Sequence, residues 1–198
     1  MEFRKYKFNK RNSSLKELCF FTKYLAQKGL ISGSEGNVSI RTEQGLWITP
    51  SGKIKEILEP KDLIFIFWDK GFTKEKPSTE WGLHYKIYLK NPSISAIVHT
   101  HPPYLLLLEA IGFDFKNFFL PEASLLLKEI KRVPYLEPGS DTLWEYASEV
   151  AKISKIILLS QHGLLTLGKD LEEAVNLTLI LEKLSFLEFF KKVKDGSF

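Results

Sequence analysis

The chain predicts a single mixed α/β domain in which helices pack on the faces of one sheet. Three observations carry this. Short apolar and alternating runs separated by turn residues fill residues 38–68, the pattern of early hairpins. From Pro77 onward strand-like and helix-like segments alternate, which calls for helices layered against the sheet. The 198 residues contain no internal repeat, low-complexity tract or linker, so 1–198 read as one domain with a basic N-terminal arm at 1–13.

The elements follow in order. Ser14-Leu15-Lys16-Glu17 reads as a capping box and Gly29 as the residue just past a helix end, predicting a helix over 15–28. The polar loop Ser32-Gly33-Ser34-Glu35-Gly36-Asn37 leads into an alternating strand, Val38 to Arg41. Leu46 to Thr49 forms a second strand closed by the turn Pro50-Ser51-Gly52, and Leu63 to Trp68 a third, ended by Asp69-Lys70-Gly71. Pro77-Ser78-Thr79 opens a helix that runs through Glu80, His84 and Tyr88 to Lys90. The β-branched run ending in His99-Thr100-His101 predicts a buried strand over 94–100, and Pro102-Pro103 starts the next helix.

The aromatic stretch Phe113 to Phe119 has no assignable period. Glu122 to Lys128 reads as a short helix and Arg132 to Leu136 as a strand. Ser140-Asp141 caps a helix to Lys152; strands at 156–160 and 164–167 flank Gln161-His162-Gly163. Asp170 with Glu173 caps a long terminal helix with Leu171, Ala174, Val175, Leu181 and Leu184 at core spacing.

Composition narrows the function classes. Hydrophobic residues at 44% and charged residues at 26% are those of an ordinary globular protein. The net charge of +4 is dispersed apart from Arg4 to Arg11, and no basic stripe with interleaved aromatics speaks for nucleic acid. Cys19 is the only cysteine and has apolar neighbours, which excludes an intramolecular disulfide and a thiolate metal site and fits a cytoplasmic protein. No run reaches ~18 apolar residues, and the N-terminus has no apolar signal core, so neither a membrane span nor secretion is expected.

The histidines carry the chemistry. His99 and His101 stand two residues apart at a strand end, so their imidazoles project to one side. His162 follows another apolar strand in a matching place. Three imidazoles with one open position describe a catalytic zinc site, and one satisfied core histidine does not explain them all. His84, the fourth, lies one helical turn after Glu80 and reads as a packing residue before it reads as a ligand.

Glu80 is the candidate acid–base residue, although a glutamate in a first helical turn is also ordinary helix chemistry, and spacing leaves both readings open. The loops at 33–37 and 49–52 and the helix start at Ser78-Thr79 offer backbone N–H groups and hydroxyls to an anion. Neither a P-loop nor a G-x-G-x-x-G fingerprint is present.

In order along residues 14–190, the segments Gly29 to Ser39, Ile48 to Gly52, Pro77 to His84, Val98 to His101 and Gln161 to Gly163 resemble the class II aldolase/adducin family, above all its L-fuculose-1-phosphate aldolase-like branch. The resemblance implies a three-layer α/β/α fold with a central mixed, largely antiparallel sheet. It implies a homotetramer with active sites between subunits, while composition is what speaks for the cytoplasm and against membrane or nucleic-acid partners. It further implies Zn²⁺ or another divalent ion on His99, His101 and His162, approached by Glu80 when substrate is absent. Gly36, Asn37, Ser51, Gly52, Ser78 and Thr79 match positions that hold a substrate phosphate. The implied reaction is reversible cleavage of a ketose 1-phosphate to dihydroxyacetone phosphate and a small aldehyde such as lactaldehyde, with Glu80 as general base in condensation.

The chain departs from that pattern in two places. The branch places a proton-donating tyrosine about twenty residues after the histidine pair, where this chain reads Phe119-Leu120-Pro121-Glu122. Glu122, Tyr104 and Tyr135 are the candidates to replace it, and Glu122 also falls near the catalytic glutamate of the family's methylthioribulose-1-phosphate dehydratases. Thr100 resembles the epimerases and dehydratases. The alternatives are therefore such a dehydratase, a ribulose-5-phosphate 4-epimerase, or an adducin-like interaction module without chemistry. A metal-dependent amidohydrolase barrel is excluded by length, since it needs ~250 residues.

Overall fold

Alternation of side chains along each strand decides which residues meet which layer. The computed structural model describes residues 2–72, 77–121, 123 and 130–196. Its strands are β1 (Asn37–Arg41), β2 (Gly45–Ile48), β3 (Ile64–Phe67), β4 (Ala96–Thr100), β5 (Ile130–Val133), β6 (Ile156–Leu159) and β7 (Gly163–Gly168). The helices are α1 (Glu2–Gln27), α2 (Trp81–Lys90), α3 (Pro103–Ala110), α4 (Asp141–Val150) and α5 (Leu171–Asp195). The seven strands form one sheet in the order β3-β2-β1-β4-β7-β6-β5. Every neighbouring pair is antiparallel except β5 with β6. The expected mixed, largely antiparallel sheet between helices is the observed architecture.

On one face Ile97, Ile157, Leu159, Leu165 and Leu167 pack with Leu83, Ile87 and Tyr88 of α2 and with Leu143 and Ala147 of α4. The opposite face presents Val38, Ala96 and Val98 to α1 and the start of α5. Farther along the same face, Leu158 and Leu164 meet Leu105 of α3 and Leu181 and Leu184 of α5. Each fully buried aliphatic side chain here stabilises the fold by roughly 1.5–3 kcal/mol. The five core positions expected on the terminal helix are all buried.

Local signals explain the ends. The Gly29 N–H donates to Ala26 at 2.9 Å and the Leu30 N–H to Leu25 at 3.0 Å, with Gly29 at φ 72°: a Schellman turn ends α1. Ser140 accepts from the Leu143 N–H at 3.2 Å and Asp170 from the Glu173 N–H at 2.8 Å, as their cap positions predict.

Three expectations are corrected. Helix α1 does not begin at Ser14; it starts at Glu2, because Arg4, Lys5, Lys7, Lys10 and Arg11 are good helix formers and nothing in the segment stops a helix. Strand β5 lies at 130–133 rather than 132–136, ending before Pro134, which has no N–H for a ladder. Helix α2 opens at Trp81, leaving Glu80 at its N-cap. The short helix expected at 122–128 falls outside the described residues, apart from Ala123.

Candidate active site

The site is assembled at one edge of the α2/α4 layer, where β4 ends. His99 is the fourth residue of β4 and 1% exposed; His101 lies just past the strand, its N–H bonded to the Leu30 carbonyl at 3.0 Å. His162 ends the three-residue connection between β6 and β7. That connection is tight enough to hold Gln161 at φ 59°, a left-handed conformation that costs a non-glycine residue about 1–2 kcal/mol. The strain turns His162 back toward the pair: its ring centroid is 4.8 Å from that of His99 and 5.5 Å from that of His101. Gly163 leaves the room. A Cβ there would stand 2.5 Å from the His101 ring and 3.0 Å from the His99 ring.

One donor atom from each of the three imidazoles lies within 4.8 Å of the others. The tautomers follow from their partners. His99 Nδ1 donates to the Leu164 carbonyl and His101 Nδ1 to the Glu35 carboxylate, both at 3.0 Å, so each neutral ring turns a bare Nε2 lone pair inward. These two lone pairs face each other at 3.3 Å. Such a contact is repulsive unless a cation stands between them. Two nitrogens each about 2.0–2.1 Å from a tetrahedral zinc ion stand roughly 3.3–3.4 Å apart, so the spacing suits that ion. His162 Nδ1 is buried without a hydrogen-bond partner. The donor set therefore fits a metal.

Burial keeps the His99 and His162 rings neutral. It pushes His99 well below the usual imidazole range, with His101 and His162 adding to the effect, and brings His162 down to about 4. His84, fully buried, falls to about 3 for the same reason. Its Nδ1 lies 2.7 Å from the Ser39 hydroxyl, which also meets the Tyr88 hydroxyl at 2.8 Å. His84 packs in the core and is not in the three-histidine group.

These directions fix an acid sensitivity. Folded pKa values below the unfolded ~6.5 mean the stabilisation is complete above that pH and is lost as pH falls toward the folded values. Each such histidine contributes a slope of ~1.4 kcal/mol per pH unit. Burial raises the carboxyls of Glu80 and Glu182, whose titration partly offsets this. The metal-free protein is expected to melt about 10 °C lower at pH 5 than at pH 7 in a thermal scan. A Tm independent of pH over that range would contradict the assigned neutral rings.

Glu80 decides between its two readings. It is 3% exposed, caps nothing with its side chain, and turns Oε1 to the Gly139 N–H at 2.7 Å. Gly139 comes close because α4 lies hard against α2: a Cβ on Gly82 would stand 2.2 Å from the Trp144 ring. Glu80 Oε2 is buried with no hydrogen-bond partner. Burial raises the carboxyl above the ordinary glutamate range, against the Gly139 amide and the Trp144 indole N–H, which lies near but makes no hydrogen bond of good geometry.

A cavity of about 150 Å³ joins these groups. Of the expected site residues, Gly36, Asn37, Ser51, Ser78, Thr79, Glu80, His99, His101 and His162 all line it. Gly36 has φ 62°, and a Cβ there would lie 2.9 Å from the His99 carbonyl, so its loop passes against the histidine strand as only glycine allows. Asn37, paired with His99 in the β1/β4 ladder, keeps a buried, unpartnered Oδ1. Gly52 is not among the lining residues and lies exposed in the turn after Ser51. Glu122 falls outside the described residues. Tyr104 does not line the cavity; it packs on Phe186 at 4.8 Å, while Tyr135 is 53% exposed. Thr100 occupies the opposite face of β4 from His99.

The sequence reading gave no role to Glu35, Gly139 or Pro138. Glu35 sits within the expected anion loop, yet its carboxylate serves His101 and accepts from the Ser32 N–H at 2.8 Å.

Fold and site together define a class of protein: an α/β/α domain whose strand ends present three clustered imidazoles and a buried carboxylate to one cavity. The chain belongs to the class II aldolase and adducin family, whose profile, described as Class II Aldolase and Adducin N-terminal domain, matches residues 16–188. An L-fuculose phosphate aldolase of Methanococcus maripaludis is 37% identical over 88% of this chain and 96% of its own. A 5-methylthioribulose-1-phosphate/5-deoxyribulose-1-phosphate aldolase of Rhodospirillum rubrum is 34% identical over 79% of this chain and 72% of its own. The crystal structure of L-fuculose-1-phosphate aldolase from Thermus thermophilus shares the fold, with a TM-score of 0.82 and 24% identity, covering 95% of this chain and 97% of that one. The sequence relatives place the chain among enzymes of the lyase class. No helix among the described residues is long and apolar enough to cross a membrane.

Proposed function

We propose that the protein is a zinc-dependent aldolase that reversibly cleaves a ketose 1-phosphate, L-fuculose 1-phosphate or a similar deoxyketose 1-phosphate, into dihydroxyacetone phosphate and a small aldehyde such as lactaldehyde. The observation that carries this reading is the convergence of three neutral imidazoles and a buried, half-satisfied glutamate on one cavity. His99, His101 and His162 would hold the ion, which when bound supplies Lewis-acid stabilisation of the charge that develops beside a ketone carbonyl.

The chain's own groups do the rest. Cleavage breaks the bond between the carbons α and β to the ketone: the electron pair stays on the α-carbon, and the β-hydroxyl gives up its proton as it becomes the aldehyde. Glu80 Oε2 is the free basic atom beside that position, with Oε1 held by Gly139. It delivers a proton to the dihydroxyacetone phosphate carbon in cleavage and removes it in condensation. Glu80 would also approach the ion when substrate is absent, as the family resemblance implies. Asn37, Ser51, Ser78 and Thr79, with the loop shaped by Gly36, bind the phosphate and orient the reacting carbon; Gly52 supports the turn that presents Ser51. Glu122 is the proposed group that takes the proton from the β-hydroxyl in cleavage and returns it to the aldehyde oxygen in condensation. The working form is a cytoplasmic homotetramer with sites between subunits.

A coupled assay for dihydroxyacetone phosphate tests the reading, using zinc-loaded protein and fuculose, rhamnulose, 5-deoxyribulose and methylthioribulose 1-phosphates. Release from at least one of these sugars is the expected result. Silence across the panel with zinc bound would overturn aldol cleavage, in favour of the epimerase, the dehydratase or the non-catalytic module.

A further inference from the structure

A buried lysine stands behind the wall of the cavity. Lys55, in the short 3₁₀ turn Lys55–Ile57, is 0% exposed. Its ammonium donates to the carbonyls of Ser34 at 2.9 Å, Lys53 at 3.0 Å and Pro50 at 3.1 Å, which uses all three N–H groups. Its own N–H donates to the Gly33 carbonyl at 2.9 Å. Two of these acceptors, Ser34 and Pro50, belong to residues lining the cavity, one from each of the polar loops.

Such a charge is costly to bury, and among the described residues no carboxylate pairs with it. Burial lowers its pKa to about 8, with Glu56 acting in the opposite direction. A tie between two loops needs only neutral hydrogen bonds. A charge kept there at this cost points to an anion nearby.

The cavity wall supplies the second half of the argument. Among the described lining residues there is no lysine or arginine, while Glu35 and Glu80 contribute carboxylates. The hydroxyls and amides around the loops bring no formal positive charge to a phosphate entering beside them. Because a peptide unit is planar and trans, fixing the Pro50 carbonyl on the ammonium points the Ser51 N–H the opposite way. Ser51 lines the cavity.

We propose that Lys55 is a positioning residue for the phosphate end of the substrate: it clamps the 33–37 and 50–53 loops by their carbonyls and supplies, through one layer of peptide groups, the positive charge that the cavity wall lacks. The proposal rests on the reading of the cavity as a sugar-phosphate site.

The test measures binding of dihydroxyacetone phosphate and of unphosphorylated dihydroxyacetone to zinc-loaded wild type and Lys55→Gln by calorimetry. Glutamine keeps a neutral donor for the loop carbonyls and removes the charge. Loss of affinity on the order of tenfold for the phosphate compound alone is the expected result. Wild-type affinity in a folded Lys55→Gln protein overturns the role of Lys55, as does an equal loss for both compounds, which would report distorted loops. A wild type that binds no dihydroxyacetone phosphate overturns the sugar-phosphate reading itself.

The wild type provides an arm that needs no variant. In protein labelled with [¹³Cε]lysine, dihydroxyacetone phosphate should raise the Lys55 titration midpoint by about one pH unit, the linkage counterpart of a tenfold effect. A midpoint unmoved by saturating ligand contradicts the proposal.

Discussion

Glu80→Gln is expected to lower turnover of the ketose phosphate by about 10²–10⁴-fold while metal content stays at the wild-type level. The amide fills the same space and keeps an oxygen for the Gly139 N–H, so the α2/α4 junction survives. What it loses is the basic Oε2, which no hydrogen bond occupies in the native protein. The loss belongs in kcat, since the hydroxyl and amide groups proposed to hold the phosphate are untouched. Burial raises the Glu80 carboxyl, so the acid limb of the wild-type rate profile should lie above the ordinary glutamate range: activity falls as pH drops through the raised value and the base takes up a proton. Steady-state kinetics with zinc analysis of the same samples check both points. Normal turnover in the variant would remove Glu80 from the chemistry.

His99→Ala should abolish metal binding and, with it, activity. His99 is the most enclosed of the three imidazoles, and its ring lies between the Leu164 carbonyl at 3.0 Å and a facing Nε2 at 3.3 Å. Removing it leaves two imidazoles, too few to hold an ion against water and buffer. The lost Lewis acid should cost at least about 10³-fold in rate, the several kcal/mol that such an ion supplies. The Leu164 carbonyl also loses its side-chain donor, so a modest fall in Tm should accompany the effect, from about 1–3 kcal/mol. Chelation of the wild type separates the two consequences: it should remove activity reversibly, with zinc restoring it, whereas zinc added to His99→Ala should restore nothing. Full zinc occupancy in the alanine variant would sink the ligand assignment.

The long-range partners explain why only part of this site was legible in the chain. His99, His101 and His162 stand out because imidazoles at strand ends are conspicuous beside apolar runs. Glu80 could not be separated from an ordinary helix-start glutamate, because its side chain's partner is an amide 59 residues away at Gly139. Glu35 looked like part of an anion loop; its bond to His101 spans 66 residues. No local signal in the sequence marks Lys55. Its burial depends on two loops meeting across the top of the sheet, which no local period encodes. The corrected helix start at Glu2 shows the reverse limit: a good capping box at Ser14 is only a local preference, and a continuing run of helix formers overrode it.

The sequence by itself determined the order and type of most elements, the mixed sheet with helices on its faces, and the histidine triad. Those properties follow from periods of 2 and 3.6 residues, from caps and from turn residues, all set within a few positions of the chain. Tertiary structure alone decided which loops share the cavity, which tautomers His99 and His101 adopt, that Oε2 of Glu80 makes no hydrogen bond, and that a lysine is buried behind two of the cavity loops. Each depends on groups distant in sequence being packed within a few ångströms, where burial and neighbouring dipoles reset what an ordinary side chain can do.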